Sequence, residues 1–180
     1  LLAGVASYSE LSSGLMLEVS GLSILINYLS FAPNEYFDYE IDRENERKEI
    51  MGVIIQEKKL AKYSVFLIFG FAGISSFFLS ETVRVAIWVI MAISILYSAP
   101  PFRFKGRAPL DGLCNIIGVF FIFATGVGIA GGNLSDVIPG AYWFSALIGF
   151  GAHGMLAVPD METDKEDNLR TMPMIIGQKG

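Results

Sequence analysis

Charged side chains are absent from five long stretches of the chain. Residues 63–80 and 85–102 each run uncharged for 18 positions, 112–135 for 24, 137–159 for 23 with His153 inside it, and 19–34 for 16. The hydrocarbon core of a bilayer takes about 20 helical residues to cross, so each stretch predicts a membrane span. Leu15 and Leu17 extend the first span backwards if Glu18 sits near a headgroup layer. Residues 1–9 read as the tail of a further helix whose beginning is missing. A soluble helical bundle would need polar positions recurring every 3.6 residues, and neither 63–80 nor 112–135 offers such a face. The expected fold is therefore all-α: a multi-span transmembrane bundle of about five complete helices plus part of another.

Composition agrees, with 53% apolar and 17% charged residues where soluble domains hold roughly a quarter charged. The lone Cys114 excludes a disulfide-stapled module, and 13 basic against 18 acidic residues argue against nucleic acid as a partner. Lys and Arg also orient the chain, because loops rich in them stay cytoplasmic. Six fall in 43–62, three in the loop of Arg103, Lys105 and Arg107, and three after Pro159; only Arg84 lies on the other side. The acids Asp38, Glu40, Asp42, Asp160, Glu162, Asp164, Glu166 and Asp167 gather on the same cytoplasmic face. Intramembrane and juxtamembrane acids are costly, so an acid-rich mouth on a chain of net charge -5 suggests a bound cation.

Two motifs locate that cation. Asn34, Asp38 and Asp42 recur every four residues, which places them on one stripe of a helix. Asp160 and Asp164 repeat the spacing 122 residues later, and each aspartate pair is followed at once by a base, Arg43 or Lys165. A single such pair is most simply a hydrated helix end, whereas two matched in spacing, side and flanking base favour a shared ligand. Oxygen donors without a Cys or His cluster suit Mg2+ held together with a phosphorylated substrate rather than zinc. Arg103, Lys105, Arg43 and Lys165 supply charge-assisted contacts for a diphosphate. With apolar helices to house a lipid tail, the combination describes ionisation of an allylic prenyl diphosphate in a site closed to water.

These residues resemble the UbiA superfamily of integral-membrane prenyltransferases. Its first signature, N-x-x-x-D-x-x-x-D, is matched by Asn34, Asp38 and Asp42, and its second, D-x-x-x-D, by Asp160 and Asp164. The stretch from Tyr97 to Lys105 looks like the family loop that sets a Tyr and basic residues near the diphosphate. The resemblance implies nine spans around a cavity open towards the membrane, with two Mg2+ ions bridging the diphosphate, and makes 1–180 a single domain truncated at both ends. Within the superfamily, the strings around 97–105 and 153–165 are most similar to lycopene elongases, which add five-carbon units from dimethylallyl diphosphate to lycopene. The implied partners are dimethylallyl or a longer prenyl diphosphate, a lipophilic acceptor, and membrane lipid. Members that use quinone precursors or glycerol-phosphate lipids share the same metal motifs.

Other residues have two readings. His153 either lines the acceptor pocket or removes a proton, or is a packed helix histidine. Tyr97 either covers the diphosphate and steadies a cation with its ring, or belongs to an interfacial aromatic belt. Pro33 is expected to kink its helix, and Gly126, Gly128, Gly131 and Gly132 to permit close helix packing. The charged stretch 43–62 is long enough for a lid. A cation transporter would place charges near the bilayer midplane, which this chain does not, and a CDP-alcohol phosphotransferase would follow Asp111-Gly112 with an A-R pair and further acids that are missing here.

Overall fold

A computed structural model of the chain describes residues 1–6, 10, 12–39, 58–137 and 140–152. The elements among them are helical and include no strand: α1 (Leu2–Ala6), α2 (Ser13–Phe37), α3 (Lys58–Ser76), α4 (Glu81–Ser98), α5 (Leu110–Ile129) and α6 (Gly140–Ala146). A π-helical stretch, Leu147–Ala152, continues α6. Helices α2, α4 and α5 are long and apolar enough to cross a membrane. Helix α3 has 19 residues, but the lysines that open it dilute its apolar character. Of the span expected at 137–159, only residues 137 and 140–152 lie within the described residues.

Local chemistry sets the boundaries. Helix α2 begins well before residue 19 because Ser12 caps it, its hydroxyl accepting from the Leu15 amide at 3.2 Å. Ser80 caps α4 in the same way at 3.4 Å, with Glu81 in the first turn where the helix dipole favours an acid. Helix α4 stops at Ser98 because Pro100 and Pro101 follow, and the residue before a proline is driven from helical into extended backbone. Helix α5 ends in a Schellman turn: Gly131 takes φ +92, its amide donates to the Gly128 carbonyl, and the Gly132 amide donates to the Val127 carbonyl. Pro33 sits buried inside α2, and the helix continues past it to Phe37.

Helices α3 and α4 form a hairpin closed at Ser76, whose hydroxyl accepts from the Trp88 indole at 3.2 Å while donating to the Gly73 carbonyl. The core joins Ile26 and Leu29 of α2, Ala72 of α3, and Val83, Ile87, Ile90 and Met91 of α4. A second cluster seats Phe123, Ala124 and Val127 of α5 against Val137 and Ala141. Glycines set the tightest crossings. A Cβ on Gly126 would overlap the Leu1 carbonyl oxygen, and one on Gly4 the Phe123 carbonyl oxygen, so α1 and α5 touch backbone to backbone. Gly128 makes room for the Thr82 and Val83 side chains of α4, and small residues at crossings are how helices associate where lipid removes the hydrophobic drive.

The outside is apolar. Leu17, Ile24 and Phe31 of α2 recur at seven-residue spacing and are 77%, 74% and 63% exposed. Leu60, Leu67 and Ile74 do the same on α3, with Phe71 exposed beside them and Phe78 just past its end. An exposed apolar surface of that extent requires lipid or further protein against it. Antiparallel α4 and α5 connect the two ends of the bundle. One end holds the hydrogen bonds from Ser80 to the Gly128 carbonyl and from Thr82 to the Gly132 carbonyl. The other end holds the C-terminus of α2 and the segment 99–109.

Candidate functional site

The last turn of α2 presents Asn34 and Asp38 one above the other, as i and i+4 positions of a helix must be. Asp38 is the C-cap residue, and its amide donates to the Asn34 carbonyl at 2.9 Å. It is 5% exposed. A buried carboxylate at the negative end of a helix dipole is doubly disfavoured, so it needs cations.

The segment between α4 and α5 supplies them. Arg103 donates from Nη2 to Asp38 Oδ1 at 3.3 Å, and the Lys105 ammonium pairs with Asp38 Oδ2 while also donating to Asn34 Oδ1 at 3.1 Å. The backbone is shaped for this. Arg103 has φ 40 and ψ 57, the left-handed region, immediately before the short 3-10 turn Phe104–Gly106 that carries Lys105. A non-glycine residue there carries about 1–2 kcal/mol of strain, and the same bend lets residues 103 and 105 both reach back to α2. Arg107 points elsewhere, donating to the Pro101 carbonyl at 2.9 Å. Tyr97, in the last turn of α4, is half-buried beside this segment, and Asp111 is fully buried in the first turn of α5.

Four of the residues singled out in the sequence, Asn34, Asp38, Arg103 and Lys105, thus form one hydrogen-bonded cluster. The continuous helix α2 ends at Phe37, with Asp38 as its C-cap, and the continuation of the stripe to Asp42 lies outside the described residues. Asp42, Arg43, His153, Asp160, Asp164 and Lys165 lie outside the described residues, as does most of the stretch proposed as a lid. Among the described residues there is accordingly no group of three or more His, Cys, Asp or Glu placed to hold a metal. The donors that are described do fit a hard cation: Asn34 Oδ1 and Asp38 Oδ2 converge on one point, where a positive charge, the Lys105 ammonium, already sits between them. The left-handed backbone at Arg103 had no sequence signal, because arginine is not a residue that favours it.

The glycine expectation holds for Gly126 and Gly128, which sit in helix crossings, but not for Gly131, which packs against nothing and instead ends a helix with its positive φ. The charged groups of the cluster stand at the C-terminal end of α2.

Comparison with known proteins identifies the family and the fold. The family model described as the UbiA prenyltransferase family matches residues 1–180. A lycopene elongase/hydratase from Haloarcula japonica is 28% identical over 158 residues, covering 84% of this chain and 51% of the relative. A digeranylgeranylglyceryl phosphate synthase from Methanosphaera stadtmanae is 28% identical over 148 residues, covering 81% and 52%. This chain therefore spans about half the length of the curated relatives it matches. Among solved structures, a UbiA homolog from Archaeoglobus fulgidus bound to DMAPP and Mg2+ superposes with a TM-score of 0.77 at 21% identity, over 99% of this chain and 64% of that one.

Proposed function

The chain belongs to the UbiA prenyltransferase family and is an integral membrane protein, and from that premise we propose that it is the part of a prenyltransferase that binds and ionises an allylic prenyl diphosphate. The observation that carries the reading is the cluster itself. Two convergent oxygen donors of the first signature face two cations from the 99–109 segment, which is the set of charges a metal-diphosphate pair needs.

In this reading Asn34, Asp38 and Asp42 from the first motif, and Asp160 and Asp164 from the second, are the metal donors. Bound Mg2+ would neutralise the diphosphate and lower the barrier to its departure. Arg103 and Lys105 bind diphosphate oxygens, joined by Arg43 and Lys165, and Tyr97 covers the diphosphate and steadies the cation with its ring. The allylic C–O bond breaks with its electron pair going to the diphosphate. The carbocation is attacked by a double bond of a lipophilic acceptor, and the adduct is neutralised by loss of a proton, for which His153 is the candidate base, or by capture of water. Apolar helix walls keep water from the cation until then. The site opens to the cytoplasm, the side to which six lysines and arginines at 58–62 and 103–107 fall by sequence.

Lycopene or a related carotenoid is the proposed acceptor, supported by likeness to lycopene elongase/hydratases from several organisms. The second reading, a glycerol-phosphate lipid acceptor, is favoured by the likeness to digeranylgeranylglyceryl phosphate synthases. The test uses the full-length protein in membranes with dimethylallyl diphosphate. Mg2+-dependent release of diphosphate that requires lycopene, with C45 or C50 products by mass spectrometry, is expected; release only with a glycerol-phosphate lipid selects the second reading. No release with any acceptor, in wild type, sinks both.

A further inference from the structure

Every oxygen that the described part of the first motif offers is already held. Asp38 Oδ1 accepts from Arg103, Asp38 Oδ2 pairs with Lys105, and Asn34 Oδ1 accepts from Lys105. Lys105 is 16% exposed and Asp38 7% by side chain, so these contacts are poorly screened by water. The Lys105 ammonium lies between the two donors, at the position a divalent ion would have to take to bind both. Ammonium and metal compete for it: both need the space between the same two donor residues, and two cations a few ångströms apart in a partly buried site repel strongly.

We propose that Lys105 is a resident counter-cation of the metal site. It holds Asn34 and Asp38 against free divalent metal, and gives them up when a diphosphate offers its ammonium a more highly charged acceptor. Metal and diphosphate then load together, and the empty enzyme does not hold metal in an unproductive complex. This rests on reading Asn34 and Asp38 as metal donors. It goes further by giving Lys105 two successive partners and the site an order of loading. Arg103 makes the same exchange from Asp38 Oδ1, with a weaker hold because it touches only one donor residue. The physics is a population effect: if the Lys105-free arrangement is about a tenth of the ensemble, apparent metal affinity is lowered about tenfold.

Equilibrium dialysis of the full-length protein in detergent, at clamped free Mn2+ and without diphosphate, measures this directly. Lys105→Met is expected to bind Mn2+ at least about tenfold more tightly than wild type, with Lys105→Gln as the second variant should Met impair folding. Arg107→Gln removes the same charge from the same segment without touching Asp38, and is expected to bind as wild type does. Adding inorganic diphosphate should raise Mn2+ affinity in wild type by a larger factor than in Lys105→Met, since two ligands coupled through one contact lose that coupling when the contact is gone. Equal Mn2+ affinity in Lys105→Met and wild type, where wild type does take up Mn2+ with diphosphate, overturns the proposal. So does equal tightening in Arg107→Gln, which would make the effect one of general charge. Wild type that takes up no Mn2+ even with diphosphate overturns the metal-donor reading itself.

Discussion

The two ends of the α4–α5 pair are held by opposite means. At the end carrying Gly126 and Gly128, the glycines let the α1 backbone and the Thr82 and Val83 side chains of α4 close onto α5, with hydroxyls of Ser80 and Thr82 satisfying carbonyls of α5 and its cap. At the other end, α2 is tied to the 99–109 segment by charge: Asp38 and Asn34 on one side, Arg103 and Lys105 on the other. Contacts of the first kind have one solution, because a glycine crossing admits no other side chain. Charged contacts can be re-paired with a ligand of the same charge at little loss. The difference explains how one small bundle can be rigid and still exchange partners at its mouth.

The largest effect is expected at the charged end. Asp38→Asn keeps the shape and removes the charge; diphosphate release by the full-length protein should fall at least about 100-fold, while the unfolding temperature in detergent moves little. Activity within a few fold of wild type would erase the functional distinction between the two ends. At the packed end, Gly126→Leu forces a side chain into the Leu1 and Val5 backbone. It should cost roughly 3 kcal/mol or more of stability by thermal denaturation, with the surviving folded fraction still releasing diphosphate.

A finer test separates strain from charge at one residue. Arg103→Gly and Arg103→Ala both lose the guanidinium and should weaken diphosphate binding equally, but glycine relieves the left-handed backbone. The glycine variant is expected to be about 1 kcal/mol the more stable, and equal stability would show that the bend carries no strain. The smallest effect belongs to Trp88→Phe, which deletes the hydrogen bond to Ser76. About 1 kcal/mol of stability should go, with diphosphate release unchanged.

Much of this was legible in the uncharged runs, because a helix in lipid must satisfy its own backbone and so leaves a long apolar record. The runs overstated lengths where local chemistry intervened: 85–102 ends early at its prolines, and 112–135 at the Gly131 cap. The i, i+4 spacing of Asn34 and Asp38 was readable because it is a property of one helix. Their pairing with Lys105 was not, since it joins residues 71 and 67 positions apart and depends on a left-handed arginine that no propensity favours. The α1–α5 crossing was hidden for the same reason: Gly4 and Gly126 are informative only as a pair.

The central claim is that the charged end, and not the packed end, holds the diphosphate with its metal. Binding of a non-ionisable dimethylallyl thiodiphosphate to the full-length protein, with and without Mg2+, tests it most directly when wild type is set beside Asp38→Asn and Arg84→Gln, the latter at the opposite end against Phe77. Mg2+-dependent binding should persist in wild type and Arg84→Gln and weaken at least about 100-fold in Asp38→Asn. Undiminished Mg2+-dependent binding in Asp38→Asn would contradict the account.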